Sequence, residues 1–166
     1  MRHDFKPGDL VIHPNHGIGS VGRTVELEVS GATHRFLVVD FRRTSLTLRI
    51  PEATIAQSGL RRVSSKDTMQ AALAVLPQPR VTLPGHWSRW SAIYAAKLNS
   101  GKPALLAEVL RDLSPTGGSW KSKLFDEALL RLAEELALVE DIDMAEAQRR
   151  IEALLPTDAQ RQAASS

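Results

Sequence analysis

The sequence predicts an α+β protein: a small, strongly bent sheet or barrel over residues 1–63, then an all-α domain. Short apolar runs between Pro, Gly and Asn turn signals fill the N-terminal part, with no long helical pattern between them. After Arg62 the apolar period changes from two to three or four. With 166 residues, 43% apolar and 24% charged, the chain can bury a core in one ordinary domain or two small ones.

Asp9-Leu10-Val11-Ile12-His13 is a short apolar run bounded by Pro7-Gly8 and Pro14-Asn15. Val25, Leu27 and Val29 alternate with Thr24, Glu26 and Glu28, the period of a half-buried strand. Ser30-Gly31 reads as a turn into a more buried strand, Phe36 to Val39. Leu46, Leu48 and Ile50 alternate with Thr47 and Arg49, and Pro51 to Gln57 fits a single helical turn before Gly59. Beyond this, Met69, Leu73 and Leu76 mark a helix capped by Ser65 and stopped by Pro77. Pro77, Pro79, Pro84 and Gly85 make a stiff connection. Helices follow over roughly 86–100, 103–113, 120–139 and 144–155, separated by Gly101, by Pro115 with Gly117-Gly118, and by Asp141 and Asp143. Leu105, Val109 and Leu113, and Leu129, Leu132 and Leu136, mark their inward faces. Residues 157–166 are small and polar and read as a frayed tail.

Composition excludes several classes of function. The absence of cysteine rules out disulfides, Cys-ligated zinc, iron–sulfur clusters and thiol catalysis. No stretch approaches the roughly 20 apolar residues of a membrane span, and Met1 to Gly8 carries charge with no apolar run behind it. A soluble, cytoplasmic protein is therefore expected. The net charge of +2 conceals an uneven distribution: +3 over residues 1–63, +5 over 64–123 and −6 over 124–166. The basic middle points to a polyanion, although an ordinary solvated surface would have the same composition.

Gly17-Ile18-Gly19-Ser20-Val21-Gly22 matches GxGxxG, with Asp40 lying 18 residues beyond it. A dinucleotide site needs a helix to start at that loop, whereas a strand pattern follows here, so the glycines serve turns or bends. His13 and His16, even with His3 and His34 nearby, make a poor zinc set without cysteine. There is no nucleophile elbow, zinc-protease helix or phosphate loop, and no enzyme is expected. His86-Trp87-Ser88-Arg89-Trp90 is different in kind: two tryptophans flank an arginine at a predicted helix start. Trp90 continues into the Ile93, Tyr94, Leu98 stripe, whereas Trp87 has less helix to bury against. Spacing alone leaves Trp87 open to the core or to a nucleic-acid contact.

Phe5-x-x-Gly8-Asp9-x-Val11-x-x-Pro14-x-His16-Gly17-x-Gly19 resembles the opening of CarD-type bacterial transcription regulators. Leu48-Arg49-Ile50-Pro51 and Gly59-Leu60-Arg61 look like later landmarks of the same β-domain. Trp87-Ser88-Arg89, Lys97-Leu98-x-Ser100-Gly101, Leu106 to Leu113 and Leu132 to Ala137 resemble its helical domain. The resemblance implies a small N-terminal Tudor-like β-barrel, like that of transcription–repair coupling factors, docking on the RNA polymerase β subunit. It implies a helical domain that touches promoter DNA at the upstream bubble edge, with a Trp wedged into the minor groove.

On this resemblance residues 1–63 are the polymerase-interacting domain, 64–156 the DNA-contacting domain and 157–166 a flexible tail. Leu27 and Arg49 fall on the polymerase-binding surface; Trp87, Ser88 and Arg89 fall on the DNA-binding surface. No cofactor, metal or catalytic residue is implied, and the protein is expected to act as a monomer. Trp90 departs from the family, which commonly has a second Arg there, and Leu27 stands where some relatives place an Arg. Ser119-Trp120-Lys121-Ser122 replaces a stretch that often contains a Glu. The rival reading is a Tudor-like protein–protein adaptor with no DNA contact.

Overall fold

The computed structural model describes residues 4–81, 83–114 and 119–156, except for the side chains of Trp87 and residues 119–122. The chain divides into two compact units, residues 1–63 and 64–166. The tail expected over 157–166 and the break at Pro115 and Gly117-Gly118 lie outside the described residues.

The first unit is a five-stranded antiparallel sheet of β1 (Leu10–His13), β2 (Gly17–Val29), β3 (Ala32–Phe41), β4 (Leu46–Pro51) and β5 (Arg61–Arg62). Its order is β4-β3-β2-β1-β5, which leaves β4 and β5 as edges. Among the described residues the sheet is therefore open, where the sequence suggested a barrel. Closure would need β5 to pair on both sides, and its two residues pair with β1 alone. Ser30 and Gly31 have φ of 52° and 78°, the two left-handed positions of a tight hairpin turn between β2 and β3.

Gly17 to Gly22 lies inside β2, with no helix behind it. Gly19 is there because of space: a Cβ would sit 2.7 Å from Val39 Cγ1 and 2.8 Å from Phe41 Cε1. Val39 and Phe41 form the core with Val11, Val21, Leu37, Ile50 and Leu60, together with Ile55 of α1 (Ile55–Ser58). The Phe5 to Asp9 segment is pinned to this sheet. Gly8 N–H donates to Val21 O, Val21 N–H donates to Asp9 O, and the Asp9 carboxylate accepts from Lys6 N–H at 2.9 Å and Arg62 at 3.0 Å. The Lys6 amide, with Arg62, holds the Asp9 carboxyl below its ordinary pKa.

The second unit contains α2 (Lys66–Leu73), α3 (Trp87–Ser100), α4 (Pro103–Leu113), α5 (Ser119–Glu140) and α6 (Met144–Leu154). Ser65 and Asp143 cap α2 and α6 by accepting the amides of Thr68 and Glu146. α2 stops at Leu73 rather than reaching Leu76. Approaching Pro77 the amides of Val75 and Leu76 bond only three residues back, the tighter winding that a following proline imposes. α4 packs against α2, α3 and α5. Enclosure on three sides turns Leu106, Leu110 and Leu113 fully inward and leaves Leu105 half-buried. Leu129, Leu132 and Leu136 of α5 and Ile151 of α6 complete the core. No described helix is long and apolar enough to cross a membrane.

Candidate functional site

In the first unit, a bulge decides which face of the sheet is outward. Val21 pairs with Val39, but the next pair is Thr24 with Leu37, so Gly22 and Arg23 together oppose Val38. A bulge shifts side-chain parity by one. Thr24, Glu26 and Glu28 therefore take the side of Leu37 and Val39, and Val25, Leu27 and Val29 take the opposite one. That outward face also carries His34 and Phe36, the partners of Leu27 and Val25, and Val38 with its partner Arg49. Arg49 and His34 are exposed, Val29 is 46% exposed, and Leu27, Val25, Phe36 and Val38 are half-buried. Leu27 and Arg49 thus share one face, separated by β3, beside the unpaired edge of β4. On the other face Arg35 lies between Glu26 and Glu52, its Nε 3.9 Å from a carboxylate oxygen of each.

His13 and His16 face each other with ring centroids 4.7 Å apart, and both pack against Phe41. Asn15 N–H donates to His13 Nδ1 at 3.1 Å. His13 is buried, which disfavours the imidazolium and, with His16 alongside, lowers its pKa from 6.5. His34 stands across the hairpin from Leu27, and His3 lies outside the described residues. Among the described residues, no three His, Asp or Glu side chains cluster in a way that could hold a metal.

In the second unit, Trp87, Ser88 and Arg89 form the first turn of α3. His86 precedes it in extended conformation, and its carbonyl accepts from the amides of Arg89 and Trp90. Ser88 and Arg89 are exposed; the side chain of Trp87 lies outside the described residues. Trp90 is half-buried and packs against the helical core, while its Nε1–H donates to Pro84 O at 3.1 Å. The turn therefore presents a hydroxyl and a guanidinium at a positive helix end, a combination suited to an anionic backbone.

Behind this turn lies a buried polar group that sequence reasoning missed. Asp112 accepts from Arg111 Nε at 2.7 Å, Tyr94 OH at 3.1 Å and Val81 N–H at 3.1 Å. The Asp112 hydrogen bond raises the Arg111 pKa, and burial, with Asp112 adding to it, raises that of Tyr94. The signal was an Arg-Asp pair set between Leu110 and Leu113 on an otherwise apolar helix.

Residues 5–64 match the model of the CarD-like/TRCF RID domain, and residues 71–152 match that of the CarD C-terminal domain. The chain belongs to the CarD family. CarD-type proteins are transcription regulators, so regulation of transcription is the function at this level. Among relatives is YdeB of Bacillus subtilis (strain 168), a candidate transcription factor. It is 24% identical over 143 residues, which cover 83% of this chain and 94% of YdeB. The solution NMR structure of the 72-residue N-terminal domain of Myxococcus xanthus CarD is 26% identical, with a TM-score of 0.30. It covers 35% of this chain and 77% of that one.

Proposed function

We propose that this CarD-family protein docks on the RNA polymerase β subunit through its β-unit, a Tudor-like module. Acting as a monomer, it then stabilises the promoter open complex by touching DNA at the upstream bubble edge with the first turn of α3. The observation that carries this reading is the exposed Ser88-Arg89 turn in a chain whose other unit matches the RID domain. The outward face with Leu27 and Arg49, beside the open β4 edge, is the docking surface. An added strand gains backbone hydrogen bonds there, and Arg49 supplies selectivity.

Docking raises the effective concentration of the helical unit at the promoter, so its own DNA affinity can be weak. An indole inserted at a junction already distorted avoids part of the few-kcal/mol unstacking cost met in intact duplex. Binding the melted promoter better than the closed one shifts the equilibrium toward the open complex, with no need for sequence readout. The test combines co-elution of the full chain with bacterial RNA polymerase and the decay time of open complexes with and without it. Co-elution with slower decay is expected. Co-elution without any change in decay, and no salt-dependent binding to forked DNA, would favour a protein–protein adaptor.

A further inference from the structure

The geometry points to Asp112 and Trp90 as positioning residues that set the first turn of α3, an inference that rests on reading this turn as the DNA contact. The segment before α3 carries Pro77, Pro79, Pro84 and Gly85, and its described residues have no strand or helix ladder of their own. Its placement then depends on what side chains hold its backbone. Three ties do so. Val81 N–H donates to Asp112 Oδ1 at 3.1 Å, Trp90 Nε1–H donates to Pro84 O at 3.1 Å, and the Arg80 guanidinium donates to the carbonyl of Ser114.

Asp112 is the node among them. Its side chain is 2% exposed and receives donors from three places: Arg111 on its own helix, Tyr94 on α3, and the Val81 amide on the connection. One buried group thereby links α4, α3 and the segment leading into α3. A buried ion pair gains little stability over an apolar pair of similar volume, and its best-attested use is to select one arrangement among several. Trp90 adds the second point, one helical turn beyond Trp87. Its ring lies on the core and its N–H holds Pro84, so Gly85 to Arg89 are bracketed between a fixed carbonyl and a fixed ring.

The test uses the full chain and four variants. Trp90→Phe keeps an aromatic ring and loses the N–H. Asp112→Leu loses the acceptor for Val81, and Asp112→Asn retains one. Trp87→Ala reports on the DNA reading itself. Melting temperature, polymerase co-elution, open-complex lifetime and exchange of the Val81 amide are measured for each. Trp90→Phe and Asp112→Leu should shorten the lifetime about three- to tenfold with co-elution unchanged. Asp112→Asn should recover most of that loss, and Val81 exchange should speed up in Asp112→Leu alone. Because Asp112→Leu leaves Arg111 unpaired and can unfold the unit, Trp90→Phe suffices as the test where that occurs. Wild-type lifetimes in Trp90→Phe, and in Asp112→Leu where it folds, alongside a shortened one in Trp87→Ala, overturn the positioning role and leave the DNA reading standing. An unchanged lifetime in Trp87→Ala overturns the DNA reading, and the positioning role with it.

Discussion

Trp87 and Trp90 stand three residues apart on α3, yet different physics governs each. Trp90 packs on the helical core and donates to Pro84, so Trp90→Ala should lower stability by roughly 2–4 kcal/mol, toward the lower end for a buried tryptophan because it is half-exposed. Trp87→Ala should leave polymerase binding and melting temperature near normal while open complexes decay faster. Aromatic stacking on bases is worth about 1–3 kcal/mol, so a change of about five- to a hundredfold in lifetime is the ceiling. Thermal melts and promoter-complex decay on both variants separate the roles; a reversed pattern would mean the two tryptophans are interchanged. Arg49 is exposed on the outward sheet face. Arg49→Glu should therefore preserve the fold and weaken polymerase pull-down by about tenfold or more. Undiminished pull-down would move the docking surface elsewhere.

At the scale of the element, β2 is the decisive piece. Its first half packs through Gly19 against Val39 and Phe41, and its second half, beyond the bulge, turns its apolar residues outward. Gly19→Ala should cost about 1–3 kcal/mol, because the added methyl must displace Val39 and Phe41. Circular-dichroism melts would register it, and an unchanged midpoint would mean that the strand shifts freely. The β1–β2 turn carries a pH dependence. The His13 pKa is lowered in the folded chain from 6.5, so the unfolded chain binds more protons below that value. The contribution of His13 is complete above about pH 6.5 and is lost as pH falls through its lower folded value. Thermal stability of the β-unit should therefore drop between pH 7.5 and pH 5, and His13→Gln should flatten that drop. An unaltered slope in the variant would assign the titration to another group. Asp9, held below its ordinary 3.8 by the Lys6 amide, adds a separate loss at more acid pH.

At the scale of the molecule, charge follows the two units unevenly. Residues 64–123 carry +5 and include the first turn of α3, while residues 124–166 carry −6. A helical unit that touches phosphates through a few cations should show a shallow but definite salt dependence. With two phosphate contacts, binding of the full chain to forked DNA should weaken about tenfold between roughly 50 and 200 mM salt. Fluorescence anisotropy across that range measures the slope, and a flat response would leave the basic segment without a phosphate partner. On the proposed function, binding of this strength suffices, because a β-unit docked on polymerase would supply the local concentration.

Local patterns in the chain were enough to specify the helices, the alternating strands, their order and most of their ends. They did not specify β5 or the Gly17 to Gly22 half of β2, which had read as turns or bends. Alternation, helical periodicity, the Ser65 and Asp143 caps and the proline breaks all act over a few residues, and so they read directly from sequence. The Trp87-Ser88-Arg89 turn stood out for the same reason, and Trp90 joined the core stripe that its spacing indicated. Three features depended on contacts remote in the chain. The alternation of Val25, Leu27 and Val29 marks a strand, but the bulge at Gly22 and Arg23 decides which face those residues take, and a bulge exists only relative to a paired strand. Whether the sheet closes depends on how β5 pairs, and its two residues carry no pattern long enough to say. The donors that bury Asp112 include Tyr94 and Val81, 18 and 31 residues away, so its role emerges only when α3, α4 and the connection pack together. Periodicity reports which residues avoid water, whereas pairing register and buried polar partners are set by non-local geometry that no short window of sequence contains.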